Sequence, residues 1–179
     1  MTVTTLPTGL HEGTWLVDLN HSEVGFSARH LGLSRVRGRF NNFKGELHLE
    51  SDGTNELVVT VEMASVDTNN QDRDSHLTTA DFFNVAEFPE MTFRARGATS
   101  EQLAGDLTIK GVTKPLSLSL QFHGVASDNY ETVRAAFSAI GSIKRSDFGI
   151  DFNAPFGLGG VLISDEVQIS IEAQLVEGG

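Results

Sequence analysis

Apolar and polar residues alternate with a period of two along most of the chain. Leu57, Val59, Val61 and Met63 fall on one face, with Thr60 and Glu62 on the other. Leu116, Leu118, Leu120 and Phe122 alternate with Ser117, Ser119 and Gln121. Val167, Ile169, Ile171, Ala173 and Leu175 alternate with Gln168, Ser170, Glu172 and Gln174. Shorter runs behave alike: Val24, Phe26 and Ala28; Met91, Phe93 and Ala95; Leu107 and Ile109; Ala135, Phe137 and Ala139. In a strand, successive side chains point to opposite faces, so the pattern predicts about eight strands with one dry and one wet face. Such strands are antiparallel, because parallel strands covered on both sides read as continuous apolar runs. The fold class is therefore all-β, a barrel or a sandwich.

The alternation stops twice. Between residues 72 and 88 the sequence predicts a short helical excursion, with turns around Ser75–Thr79 and Asp81–Val85, caps at Asp72 and Thr79, and Pro89 as the stop. A second irregular stretch runs from Arg145 to Gly160. Neither repeat nor linker divides the chain, so residues 1–179 read as one domain, with 1–13 as an N-terminal tail.

An eight-stranded barrel is either filled by its own side chains or holds one small ligand. The small residues Gly105, Ala135, Ala139 and Gly141 on dry faces would leave volume inside. Equally, they would relieve crowding in a filled barrel of bent strands. A hollow barrel would have Phe26, Val59, Val61, Phe93, Leu118, Leu120, Phe137, Ile169 and Ile171 as its wall. Twelve Phe against one Tyr and one Trp suit an interior with few hydrogen-bond partners.

Charge narrows the range of partners. The formal net charge is −11, which repels nucleic acid and anionic membranes at long range and leaves only a local basic patch for such contacts. No apolar run approaches the roughly 20 residues of a membrane-spanning helix, so stable membrane insertion is not expected. Met1–Glu12 lacks a basic start and an apolar core, which predicts a cytoplasmic protein. The absence of Cys removes disulfides, thiolate metal sites and a Cys nucleophile.

Candidate chemistry is sparse. Asp147-Phe148-Gly149 spells a kinase magnesium motif without the rest of the kinase set. Gly157-Leu158-Gly159-Gly160 lacks the strand–turn–helix setting of a dinucleotide loop. The six His show no i, i+4 pair, so no metal site is expected. His30 is in phase with Phe26 and Ala28, at a rim position suited to a backbone hydrogen bond, with a ligand headgroup or a metal ion as the alternatives. Asp72, Arg73, Asp74 and His76 form a charged knot. It reads either as a capping and ion-pair network or as the site of a small hydrolase or isomerase. Asp81-Phe82-Phe83 supplies two large anchors that would plug the barrel or line its mouth. A filled barrel acting as a stress or interaction protein is the remaining alternative.

Several longer stretches resemble a known family. WLVDLNHSEVGFSARHLGLSRVRGRFNNFKGEL, SVDTNNQDRDSHLTTADFFNVAEFPEMTF, GDLTIKGVTKPLSL, and IKRSDFGID followed by ISDEVQISIEAQL are similar, in this order, to signatures of the YceI-like polyisoprenoid-binding family. The resemblance spans Trp15 to Leu175. It implies an extended, eight-stranded, lipocalin-like antiparallel barrel with an isoprenoid chain in its tunnel. It further implies storage or transport of a polyprenyl lipid or isoprenoid quinone through apolar contacts, with no catalytic residue or catalytic cofactor. Many relatives are exported, whereas no leader is read in this chain. A homodimer that covers the barrel mouths is a further expectation.

Overall fold

A computed structural model describes residues 7, 9–153, 155–156, 160–161 and 163–178. β1 (Gly13–Val17) and β2 (Glu23–His30) form one barrel strand interrupted by a 3-10 turn at Leu19–His21, which Asp18 caps by accepting the Asn20 N–H. β3 (Ser34–Phe40) returns beside β2, and β4 (Phe43–Leu49) beside β1. β5 (Asn55–Glu62) pairs with β4, and the two-residue β6 (Val66–Asp67) with the end of β3. β7 (Glu90–Arg96), β8 (Gln102–Ile109), β9 (Val112–Ser127) and β10 (Val133–Lys144) follow as successive antiparallel neighbours. After the small ribbon of β11 (Pro155–Phe156) and β12 (Gly160–Val161), β13 (Ile163–Glu177) pairs with β10 on one side. On its other side it pairs with both β1 and β2. That double pairing closes eight strand positions into an up-and-down antiparallel barrel, the architecture that the resemblance implied and one of the two that the alternation allowed.

Register carries the faces. Val59 lies opposite Phe93, Leu103 opposite Leu118, Leu120 opposite Ala139, Ala139 opposite Ile171, and Ile169 opposite Phe26. Opposed residues share a face, so apolar pairs run across the whole wall. One irregularity escapes simple alternation. The β9–β10 register shifts so that Phe122 opposes Phe137 but Val125 opposes Ala135. The extra residue, His123, reverses the phase, so Val125 rather than Gly124 packs on the fully buried Ala135.

The excursion holds one helix, α1 (Gln71–Leu77), followed by turns as far as Glu87. Its cap is Asn70, whose side chain accepts the Arg73 N–H at 3.0 Å, and not Asp72 as expected. Asn70 still has extended backbone angles, whereas Asp72 is already inside the first turn, where its charge favours the helix dipole. Thr79 likewise does not begin a second helix. Its hydroxyl donates to the His76 carbonyl at 2.6 Å, and Asp81–Val85 forms turns.

The two barrel ends differ. At the base, Trp15 is fully buried with Leu10, Leu47, Leu49, Ala135 and Leu175, and its Nε1 donates to His11 O at 3.1 Å. Leu10, from the stretch expected to be a tail, is thus part of the core. The other end, the lid end, is covered by the excursion and by residues 145–153. There Asp147-Phe148-Gly149 completes a 3-10 turn (Arg145–Phe148), with Phe148 buried and Gly149 stopping it at φ 70°. Lys110 fastens both covering segments to the β8–β9 turn, donating to Ala80 O and Gly149 O at 3.3 and 3.4 Å. Gly157–Gly159 lie outside the described residues.

Candidate binding cavity

The barrel encloses a cavity of about 650 Å³. All nine residues read as a wall border it: Phe26 from β2, Val59 and Val61 from β5, Phe93 from β7, Leu118 and Leu120 from β9, Phe137 from β10, and Ile169 and Ile171 from β13. Leu47, Leu57, Met63, Met91, Leu103 and Leu107 extend the same surface. Phe82 and Phe83 border it too, so the two anchors form its lid. Phe82 packs on Phe152 at a ring distance of 5.2 Å, and Phe83 lies 6.1 Å from Phe40.

Small residues contribute less to this space than the pattern suggested. A Cβ at Gly105 would overlap the Arg94 carbonyl, and one at Gly141 would overlap the Leu118 side chain. Those glycines accommodate crowding, and Ala135 belongs to the base cluster. Of the four small residues, only Ala139 borders the cavity.

Ser22, Glu23, Asn55, Thr99, Ser138 and Glu172 interrupt the apolar border, and Arg29 joins the polar residues of the lid end. His30, Thr68, Arg73, His76 and Arg145 border the cavity there. The charged knot divides into two networks. Thr68 joins Arg73 and Asp74: its hydroxyl accepts from Arg73 Nε at 2.7 Å, its carbonyl from Nη2 at 2.8 Å, and its N–H donates to Asp74 Oδ1 at 2.9 Å. His76 bonds instead to Asp81 at 2.9 Å, with its ring edge-on to Phe82 and Phe152. Asp72 is exposed on the first turn. These contacts pin the lid, and Arg73, Asp74 and His76 do not converge on one point. Among the described residues, no group of three or more His, Asp or Glu is placed to hold a metal ion.

Arg145 is the least expected member. It is 7% exposed, and its guanidinium donates to Ser164 O, Ile150 O, Phe152 O and Ile163 O at 2.8–3.3 Å. Burial lowers its pKa, and the charges of Asp165 and Asp151 oppose that shift. At the base, the buried Asn55 is tied to Gly53 and Ala98, which leaves that end apolar. Neither Arg145 nor Trp15 stood out in the sequence. Arg145 is held by backbone carbonyls, which leave no mark in side-chain pattern, and Trp15 sits on a strand of five residues.

A closed barrel with this cavity and these motifs can be compared with known proteins. The family model of the YceI-like domain matches residues 15–175. The chain belongs to the YceI-like family. It is 33% identical over 159 residues to UPF0312 protein SA2479 of Staphylococcus aureus, covering 86% of this chain and 92% of that one. The YCEI protein of Campylobacter jejuni has a crystal structure that matches this YceI-like barrel with a TM-score of 0.70 at 33% identity, over 84% of this chain and 90% of that one. A polyisoprenoid binding domain from Saccharophagus degradans shares the fold, with a TM-score of 0.67 at 17% identity, over 94% and 100% of the two chains.

Proposed function

We propose that this YceI-like barrel binds a long isoprenoid lipid, a polyprenyl chain or an isoprenoid quinone, and stores or carries it without transforming it. The cavity carries the reading. A space of about 650 Å³ lined chiefly by Leu, Val, Ile, Met and Phe offers water few hydrogen bonds and offers a hydrocarbon chain continuous contact. A wall of this kind suits a filling that is itself apolar. Each buried CH₂ contributes about 0.8 kcal/mol, so a long hydrocarbon binds through its length and needs no strong polar anchor. The headgroup is assigned to the lid end, where His30 and Arg145 border the cavity, and the tail to the apolar base. The polyisoprenoid binding domain from Saccharophagus degradans supports the choice of ligand class.

Organic extraction of the purified protein followed by mass spectrometry tests this. The expected result is a polyprenyl or quinone species at about one per barrel, whose mass gives chain length and headgroup. An extract without lipid, from a protein that also fails to take up polyprenol or quinone on refolding, would overturn it.

A further inference from the structure

The β2–β3 hairpin gives Arg29, His30 and Val36 to the border of the cavity and carries further features outside it. Its turn is Leu31-Gly32-Leu33, closed by the Leu33 N–H donating to His30 O at 3.0 Å. Leu33 is 82% exposed. Leu31 has φ 56° and Gly32 φ 68°, so a leucine occupies a left-handed position where Gly or Asn would sit with less strain. On the flanking strands Arg29 lies opposite Arg35, and Arg37 and Arg39 follow at alternate positions on the same outer face. All four are exposed. Arg39 lies 3.7 Å from Asp67, while Arg29, Arg35 and Arg37 make no ion pair among the described residues. On a chain of net charge −11 this is a local reversal of sign.

Protection of a sheet edge explains part of the patch. From Ser34 to Gly38, β3 has β2 on one side and no strand on the other among the described residues, because β6 pairs only with Arg39 and Phe40. Charges on such an edge block pairing with another chain. That accounts for Arg35 and Arg37 but not for the bare Leu33. A lone exposed leucine is ordinary on a protein surface. An apolar tip ringed by unpaired arginines, beside a cavity mouth, is a different arrangement. His30 and Val36, on the inner face of the same hairpin, border the cavity.

We propose that this hairpin docks the barrel on an anionic lipid bilayer. Leu31 and Leu33 enter the interface, and Arg29, Arg35 and Arg37 lie among the headgroups. The hairpin sits at the lid end and sets the orientation, while the exposed acids there, Asp72, Asp81, Asp147 and Asp151, confine the contact to the hairpin tip. The location gives the cavity proposed above a route for its lipid, but docking itself is measured without cargo.

Sedimentation of the full chain with vesicles tests it. The protein should co-sediment with phosphatidylcholine–phosphatidylglycerol vesicles in a three-to-one ratio, stay in solution with phosphatidylcholine alone, and be released by high salt. Each of Arg29→Gln, Arg35→Gln and Arg37→Gln should lower partitioning about fivefold. Leu33→Ser should also lower it, while Tyr130→Ser, in the β9–β10 turn at the base and 90% exposed, should not. Equal partitioning to both vesicles, none to either, or binding unmoved by the Leu33 and arginine changes would overturn the proposal. Absence of binding would point instead to an acidic macromolecule as the partner of the patch. Lipid extracts of the same variants separate the two proposals: a variant that docks but carries no lipid counts against the cavity reading alone.

Discussion

Trp15 and Arg145 are the single residues on which the two barrel ends depend most. Trp15 fills the base and is fully buried. Trp15→Ala should destabilise the protein by about 3–5 kcal/mol, because a large buried ring leaves space that its surroundings only partly reclaim. Urea denaturation measures this, and an unchanged midpoint would contradict the role. Arg145 satisfies four backbone carbonyls under the lid. Arg145→Met would leave them without that donor, at about 1–3 kcal/mol for each one that stays buried. A thermal melt should therefore show a clear loss of stability. The wall residues were legible in sequence because a strand announces its inward face every second position. Arg145 was not, since its partners are carbonyls of the loop at residues 150–152 and of the start of β13.

Among the elements, the break between β1 and β2 lets one strand position turn along β13 without leaving it. Asp18 pins that break. It accepts from Arg134 Nη1 at 2.6 Å and is bonded to His21 Nδ1 at 2.7 Å, and Arg134 also reaches Asp128 at 3.1 Å. Burial pushes the Asp18 carboxyl up, but its hydrogen bonds with Arg134 and His21 outweigh that and hold it below the usual carboxylate range. A carboxyl with a lower pKa folded than unfolded stabilises the protein above the ordinary carboxylate pKa. The contribution is lost as pH falls through the folded value. Asp18→Asn should therefore cost about 1 kcal/mol near neutrality, and its stability should converge with the unsubstituted protein in acid. Urea midpoints taken against pH show this, and parallel curves would contradict it. The break itself was not read from the sequence, although Asp18, Asn20 and Ser22 are residue types that favour turns. The bulge at His123 was hidden, because one extra residue changes the facing of all that follow without altering composition.

For the whole molecule, alternation was enough to specify antiparallel strands, but a hollow and a filled barrel share that alternation. The pattern records which side chains face inward, not how far apart the walls stand. Gly105 and Gly141 illustrate the difference: both face inward, and neighbouring atoms occupy the space a side chain would take. The family resemblance implied a tunnel, and the closed register surrounds a cavity of about 650 Å³. A lipid held inside this wall would respond in opposite ways to a charge on adjacent residues of β9. Leu118 is 5% exposed and faces the cavity, while Ser119 is exposed on the outside. A carboxylate in the apolar interior costs several kcal/mol or draws water in, whereas outside it stays hydrated. Co-purifying lipid should be quantified for Leu118→Glu and Ser119→Glu, with folding verified by circular dichroism. Folded Leu118→Glu should lose its lipid while Ser119→Glu keeps it. A folded Leu118→Glu that retains its lipid, or a Ser119→Glu that loses it, would contradict the account.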